Sequence, residues 1–265
     1  MVSRRAMLGA LAASAGSLTL ASTTSATAQF GTLNAEANGI VPFTGQDLSA
    51  EIEALIWRAS ERGQGVYLPA GDYIASGIKL PSNARIVGAR GQTRITTPQN
   101  AAVFVGNSSH NVVLENLTLV GTGERSANDS FGLVDFVNSE HLRVDSCAIS
   151  GSARNGISLY QTSGAIIDCV FSAIESAGIK SVDATGLTIS GNSIDNIGNN
   201  GILVWRNEPG HDGTIVTENR ISNIDWRDGG NGQNGNGVNV FRAGDVIVSN
   251  NSITECGFSA VRANA

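Results

Sequence analysis

The sequence predicts an all-β solenoid, a parallel β-helix with coils of about 22–24 residues, preceded by an amphipathic capping helix. A glycine followed by an apolar residue recurs with spacings of 24, 22, 23, 36 and 23 residues. Within a unit, apolar residues alternate with period 2, which favours stacked strands over helical repeats. The repeated pairs are Gly132-Leu133, Gly156-Ile157, Gly178-Ile179, Gly201-Ile202, Gly237-Val238 and a degenerate Ala260-Val261.

Two further columns keep the same register over six coils, and this is the second observation behind the prediction. We expect the Asn members of the first column to stack at a turn and to bond neighbouring backbone, because buried polar groups are paired. The second column is uniformly apolar and should face the core. The first column contains Leu117, Cys147, Cys169, Asn192, Asn219 and Asn251, and the second contains Leu119, Ile149, Phe171, Ile194, Ile221 and Ile253.

The three cysteines follow these columns. Cys147 and Cys169 occupy the Asn column in adjacent coils, and Cys256 continues the column of Ile174, Ile197 and Ile224. We expect small buried core residues, since cysteine is among the most buried residue types. The alternative for an exported protein is a disulfide between Cys147 and Cys169, which neighbouring strands bring within bridging distance.

Residues 1–28 have the features of an export signal. Ser3–Leu8 (SRRAML) is similar to a twin-arginine motif, and Ala26–Ala28 provides a small-residue cleavage site; an ordinary secretory signal is the alternative. The apolar run between them is too short and too interrupted for a membrane anchor. Removing the segment takes away two of 17 basic residues and none of 23 acidic ones, so the formal charge falls from −6 to −8. Such a surface argues against a nucleic-acid partner.

Residues 29–98 are predicted to form the N-terminal cap, with a helix that has Asp47 or Ser49 as its N-cap residue and ends near Arg62. Its apolar residues share one face: Ile52, Leu55, Ile56 and Ala59. Residues 99–265 are predicted to be the coils, and we expect further coils beyond Ala265, where no closing cap is evident.

A helix followed by Val66–Tyr73 (VYLPAGDY) and Leu80–Gly88 (LPSNARIVG) resembles the start of the pectate-lyase-like β-helix superfamily. With the Arg4-Arg5 signal, the chain resembles the twin-arginine-translocated repeat proteins known mainly from alphaproteobacteria. The resemblance implies a right-handed β-helix, in line with the usual hand of parallel crossovers, and export to the periplasm or beyond. It assigns no activity, because the superfamily contains polysaccharide lyases, hydrolases and epimerases as well as non-catalytic members.

The first strand of each coil provides the leading candidate site. We expect an outward column of which four in five members are aromatic, a pattern suited to stacking on sugar rings, although a loop-covered second layer is the alternative. The inward pairs are Leu133/Asp135, Ile157/Leu159, Ile179/Ser181, Ile202/Val204 and Val238/Val240. The outward residues are Val134, Ser158, Lys180, Leu203 and Asn239, followed by Phe136, Tyr160, Val182, Trp205 and Phe241. Gln161, Asp183, Arg206 and Arg242 end these strands.

The 36-residue spacing indicates an insertion, predicted as loops over residues 206–213 and 225–236. The loops contribute His211 and acidic groups, or else are solvated segments without a role. Gly230–Gly235 matches G-x-G-x-x-G, but without a preceding strand and a following helix we reject a dinucleotide site. The carbonyls of this loop and Asp228 would be the ligands for calcium, but Asn stands where the calcium repeats require Asp. We expect no other metal and no cofactor.

The predicted function is an exported protein that acts on or binds polysaccharide, and the first hypothesis is an enzyme that acts on an acidic polysaccharide by β-elimination or epimerisation. Arg206, Arg242 or Lys180 would neutralise the uronate carboxylate, and Tyr160, Lys180 or His211 would act as base. A glycoside hydrolase ranks lower, because its carboxylates would have to come from Asp183, Asp225 and Asp228. Sugar-binding residues would be Phe136, Tyr160, Trp205, Phe241 and Asn239. The alternative is a non-catalytic carbohydrate-binding or envelope scaffold, or an export module for a further segment.

Overall fold

Each coil contributes one strand to each of three parallel sheets in the computed structural model, which describes residues 31–99, 101–124 and 131–264. Strands are numbered along the chain. Sheet 1 contains β1 (Thr32–Asn34), β2 (Gly65–Leu68), β5 (Arg85–Gly88), β8 (Val113–Glu115), β11 (Leu142–Asp145), β14 (Gly164–Ile167), β17 (Leu187–Ser190), β20 (Ile215–Thr217) and β23 (Ile247–Ser249). Sheet 2 contains β3 (Gly71–Ile74), β6 (Thr93–Thr96), β9 (Thr118–Val120), β12 (Ala148–Ser150), β15 (Val170–Ile174), β18 (Ser193–Ile197), β21 (Arg220–Ile224) and β24 (Ser252–Ile253). Sheet 3 contains β4 (Ile78–Lys79), β7 (Phe104–Asn107), β10 (Gly132–Val137), β13 (Asn155–Tyr160), β16 (Ala177–Val182), β19 (Asn200–His211), β22 (Asn236–Gly244) and β25 (Ser259–Asn264).

The predicted right-handed parallel β-helix is therefore confirmed. The signal predicted over residues 1–28 lies outside the described residues.

The predicted helix is α1 (Ser49–Glu61), and a 3-10 turn at Glu36–Asn38 precedes it. The four apolar residues assigned to one face are all buried, and they join the core of the first coil. The N-cap prediction was wrong, because Leu48 is the cap and caps without its side chain. Asp47 still supports the helix start, since its Oδ1 accepts a hydrogen bond from the Ser49 amide at 3.0 Å.

The Asn column forms the predicted ladder between sheets 1 and 2. The Asn219 side chain donates to Asn251 Oδ1 at 2.9 Å and accepts from Asn192 Nδ2 at 2.9 Å. The same side chain also donates to the carbonyls of Ile189 and Thr217, so a fully buried amide has all its polar atoms paired.

The cysteines pack as small core residues at two of their three positions. Cys147 and Cys169 are buried free thiols that donate to backbone carbonyls, and Cys256 is half-buried in the predicted column beside Ile224. A hydrogen bond with Cys147, together with burial, raises the pKa of the Cys169 thiol. This thiol therefore stays protonated and is a poor nucleophile.

The register predicted for β10 was wrong by one residue. Phe136 pairs with Leu159 and is fully buried, whereas Asp135 pairs with Ser158 and faces outward. A one-residue shift exchanges the two faces of a strand. The physical reason is that the Phe136 ring occupies the space over Gly106, the neighbouring residue in β7, which has no side chain to compete with it. Inward positions in the four later coils match the prediction.

The insertion also differs from its prediction in one half. Residues 206–211 were predicted as a loop, but they prolong β19, which bulges after Trp205 and pairs again at Gly210↔Ala243 and His211↔Gly244. Residues 225–235 form the second half as a loop before β22. Side chains of the coil hold this loop: Asn199 Nδ2 donates to Asp228 at 2.8 Å, and Asn239 Nδ2 donates to the Gln233 carbonyl at 2.9 Å.

Candidate functional site

The outer face of sheet 3 carries two columns of side chains that run along the solenoid axis. Parallel pairing sets their membership, since residues facing each other across neighbouring strands stack in one line. The first outer column is Lys79, Val105, Asp135, Ser158, Lys180, Leu203 and Asn239. The second outer column is Asn107, Val137, Tyr160, Val182, Trp205 and Phe241.

An open pocket of about 540 Å³ lies over the middle of both columns. We call it the Lys180 pocket. Its wall is formed by Phe131, Asp135, Val137, Ser158, Leu159, Tyr160, Lys180, Val182, Leu203, Trp205 and Asn207. The walls are mostly apolar, and the polar groups come from β10, β13, β16 and β19, which are consecutive strands of one sheet. Such a combination of apolar lining and few polar groups is typical of small-molecule sites.

Burial shifts both ionisable groups at the base of this pocket. It raises the pKa of the Asp135 carboxyl, against the opposing effects of a backbone hydrogen bond from Phe131 and of the Lys180 charge. Burial lowers the pKa of the Lys180 amine, the nearby Arg154 lowers it further, and Asp135 partly offsets both. The two groups lie two strands apart with Ser158 between them. Perturbed groups of this kind in a cleft mark candidate sites of chemistry.

Aromatic rings form one side of the pocket. Trp205 stacks on Phe241 with ring centroids 4.2 Å apart, and the Phe241 ring in turn carries the Arg242 guanidinium at 5.0 Å. Tyr160 lies in the same column and is 38% exposed. On the opposite side, the exposed Phe131 ring carries the Arg154 guanidinium at 5.9 Å. Three aromatic side chains, Phe131, Tyr160 and Trp205, thus line the pocket together with Lys180.

Three of the predicted site residues, Lys180, Tyr160 and Trp205, lie together in this pocket. Phe241 stands behind Trp205. The outward orientation predicted for Phe136 was wrong, for the register reason given above. Asn239 is in the predicted column but is buried beneath the 225–235 loop.

Three other predicted residues, Asp183, Arg206 and Arg242, form hydrogen bonds with the last part of β19. Asp183 accepts from the backbone and side-chain amides of Asn207 at 3.0 and 2.6 Å. Arg242 donates to the Asn207 carbonyl at 2.5 Å, and Arg206 donates to the carbonyls of Glu208 and Ala184. These contacts position Asn207 on the rim of the pocket.

His211 lies apart from the Lys180 pocket, on the surface. Its Nδ1 is 2.6 Å from Asp245 Oδ2, and both side chains are largely exposed. The predicted site residues therefore divide into a pocket group, a rim group and one distant residue.

The sequence profile of the family described as "Right handed beta helix region" matches residues 72–210. This match covers more than half of the chain. The chain belongs to the right-handed β-helix family. No curated protein matches it in sequence. In the described ranges, no helix is long and apolar enough to cross a membrane.

Three solved structures show how this β-helix compares with others. A putative glycosyl hydrolase from Parabacteroides merdae has a TM-score of 0.57 at 11% identity, covering 87% of this chain and 96% of that one. The A-module of the mannuronan C-5 epimerase AlgE4 from Azotobacter vinelandii has a TM-score of 0.52 at 19% identity, covering 80% and 75%. Tailspike protein 2 of the Escherichia coli O157:H7 bacteriophage CAB120 has a TM-score of 0.66 at 14% identity. The match covers 87% of this chain and 33% of the tailspike. At these identities the likeness shows the fold.

Sequence reasoning missed Asp135 because it placed this residue in the core. A signal was available, since an ionised carboxylate among apolar inward residues is very costly unless paired. The inward column to which the prediction assigned Asp135 otherwise contains Leu159, Ser181, Val204 and Val240, none of which is charged. A charged residue in that column indicates that the register of its strand must be shifted.

Proposed function

We propose that this β-helix protein binds an acidic polysaccharide on the outer face of sheet 3 and acts on it by lyase or epimerase chemistry. The observation that carries the proposal is the Lys180 pocket, which contains a partly buried cation, aromatic side chains and, two strands from the cation, a carboxyl group. Apolar faces of pyranose rings stack on aromatic rings. A cation in a poorly solvated pocket attracts a uronate carboxylate more strongly than a cation in water does.

The likeness to a mannuronan C-5 epimerase and to a putative glycosyl hydrolase supports this proposal at the level of the substrate class.

Both reactions begin by removing the proton from the carbon next to the uronate carboxylate. Lys180 would neutralise that carboxylate and so stabilise the charge that develops on it. Tyr160, in the neighbouring column, would accept that proton on its phenolic oxygen, after it has given its own proton to solvent. Asp135, with its raised pKa, would deliver a proton to the leaving glycosidic oxygen in an elimination. In an epimerisation a solvent proton would instead be added to the opposite face of the carbon, while Tyr160 keeps the proton that it removed. No cofactor is needed for either sequence.

The proposal includes export by the twin-arginine pathway to the periplasm or beyond, where such polysaccharides are found. It rests on Arg4 and Arg5 and on the family resemblance given above. A fusion of residues 1–28 to a reporter that is active only outside the cytoplasm tests it. An Arg4→Lys/Arg5→Lys variant should abolish the reporter signal, and an unchanged signal would point to the ordinary secretory route.

In the decisive experiment the protein is incubated with uronate polysaccharides, with and without calcium. Ultraviolet absorbance detects unsaturated uronate, and NMR in deuterated water detects incorporation of deuterium into the polymer. A lyase produces an unsaturated-uronate band, whereas an epimerase incorporates deuterium without that band. Lys180→Met and Tyr160→Phe should abolish either signal, and Arg94→Gln on β6 of sheet 2 is the surface control. Neither band nor deuterium on any uronate polymer would reject the catalytic part.

Non-catalytic binding is the second candidate. One observation favours it: Arg206, Arg242 and Asp183 are engaged with the Asn207 segment, and His211 is remote from the pocket. Glycan binding that is lost in Trp205→Ala, without turnover in the parent protein, would support this candidate. Binding unchanged by Trp205→Ala would refute the pocket under either candidate.

A further inference from the structure

Sheet 3 carries a second open pocket, of about 740 Å³, next to the Lys180 pocket on its N-terminal side. We call it the Trp57 pocket. Residues of α1 and of the first two strands of sheet 3, β4 and β7, line it. Its wall contains Trp57, Ser60, Glu61, Lys79, Leu80, Pro81, Ser82, Val105, Asn107, Ser108 and Ser109.

The two pockets lie on one continuous face. Val105 of the Trp57 pocket pairs directly with Asp135 of the Lys180 pocket, and Asn107 pairs with Val137. Both outer columns therefore pass from one pocket into the other without interruption of the hydrogen-bonded strands. At roughly 4.8 Å per strand, Lys79 lies about 19 Å from Lys180 along the axis. That length corresponds to several sugar units of an extended chain.

The Trp57 pocket repeats the chemistry of its neighbour. The Trp57 ring is 45% exposed, and its indole N–H donates to the Lys79 carbonyl at 3.1 Å. This bond fixes the ring and satisfies its polar atom, so that the ring surface is left for stacking. The whole chain contains two lysines, Lys79 and Lys180. Both belong to the first outer column, and each pocket has one.

We infer that the Trp57 pocket is a second subsite for the same acidic saccharide chain, in which Trp57 stacks on a sugar ring and Lys79 pairs with a carboxylate. The inference rests on the proposed function, because it assumes that the Lys180 pocket takes a uronate unit. Glu61 in the same wall would repel a carboxylate placed against it, so the acid group would pair with Lys79 instead.

Calorimetric titration with a uronate disaccharide and a hexasaccharide of the same polymer tests the inference. Trp57→Ala and Lys79→Met should each weaken hexasaccharide binding by roughly three- to tenfold and leave disaccharide binding unchanged. Trp226→Ala is the matched control, since Trp226 is 42% exposed but lies in the 225–235 loop. Trp57→Phe keeps a ring without the indole N–H and should retain most of the affinity.

The outcomes separate the two proposals. Unchanged hexasaccharide affinity in Trp57→Ala and Lys79→Met, with affinity lost in Trp205→Ala, overturns the second subsite and keeps the proposed function. Equal losses for Trp57→Phe and Trp57→Ala, accompanied by a lower melting temperature, assign the effect to a loosened cap and also overturn it. No affinity of the parent protein for either oligosaccharide refutes both proposals.

Discussion

The orientation of Phe136 decides which residues of β10 face the Lys180 pocket, and two substitutions test it together. Phe136 is fully buried, and a Cβ built on Gly106 would lie 2.2 Å from two of its ring carbons. Phe136→Ala should lower the free energy of unfolding by about 3–5 kcal/mol, the usual cost of emptying a buried Phe site. For a domain of this size, such a loss corresponds to roughly 6–20 °C in melting temperature.

Gly106→Ala should also destabilise the parent protein, by about 1–3 kcal/mol, because the added methyl group overlaps the ring. In the Phe136→Ala background the same methyl group enters vacated space. The double variant should therefore be more stable than the sum of the two losses predicts, with a coupling of about 1–3 kcal/mol. Urea unfolding followed by circular dichroism provides the four stabilities.

Phe131→Ala is the matched control for this cycle, because Phe131 is 58% exposed and its loss should change stability little. The reasoning is refuted if Phe136→Ala costs no more than Phe131→Ala, or if the two substitutions at positions 106 and 136 are additive. Either result would return Phe136 to the outer face and remove Asp135 from the pocket.

Three further predictions concern the pocket and the ladder. The pKa of Lys180 is lowered from 10.5 in the folded protein, so between the folded-state pKa and pH 10.5 the unfolded chain binds more protons than the folded one. The free energy of unfolding should therefore rise with pH in that window. Lys180→Met should remove this rise, as measured by urea unfolding at several pH values. The pKa of Asp135 is raised from 3.8 in the folded protein, so the free energy of unfolding should fall as the pH rises from 3.8 through the folded-state pKa. Asp135→Asn should abolish this fall. An unchanged dependence of stability on pH in the variant would contradict the claim that burial raises this pKa. Asn219→Ala should cost about 1–3 kcal/mol for each buried partner left unpaired, well above the cost of Asn231→Ala at an exposed position. Equal losses would argue against the ladder.

Much of this protein follows from its sequence because a solenoid repeats one environment many times. The Gly-apolar period, the Asn ladder at Asn192, Asn219 and Asn251, and the buried face of α1 were all predicted. Each is a local periodicity, of 2 residues in strands and about 3.6 in helices, supported by a column of equivalent positions. Lys180, Tyr160 and Trp205 were placed on one face by the same logic.

The tertiary structure decided which face of a strand each residue occupies where a turn between strands contains one additional residue. Four residues separate β10 from β11, but three separate β13 from β14, and the glycine of β10 stands one position early, opposite Asn155. Since a strand has period 2, that one residue sends Phe136 into the core over Gly106 and places Asp135 on the outer face, in the column of Lys180. Pairing with Ala243 likewise made residues 206–211 a strand. Such choices depend on packing between coils, which the sequence of one coil does not contain.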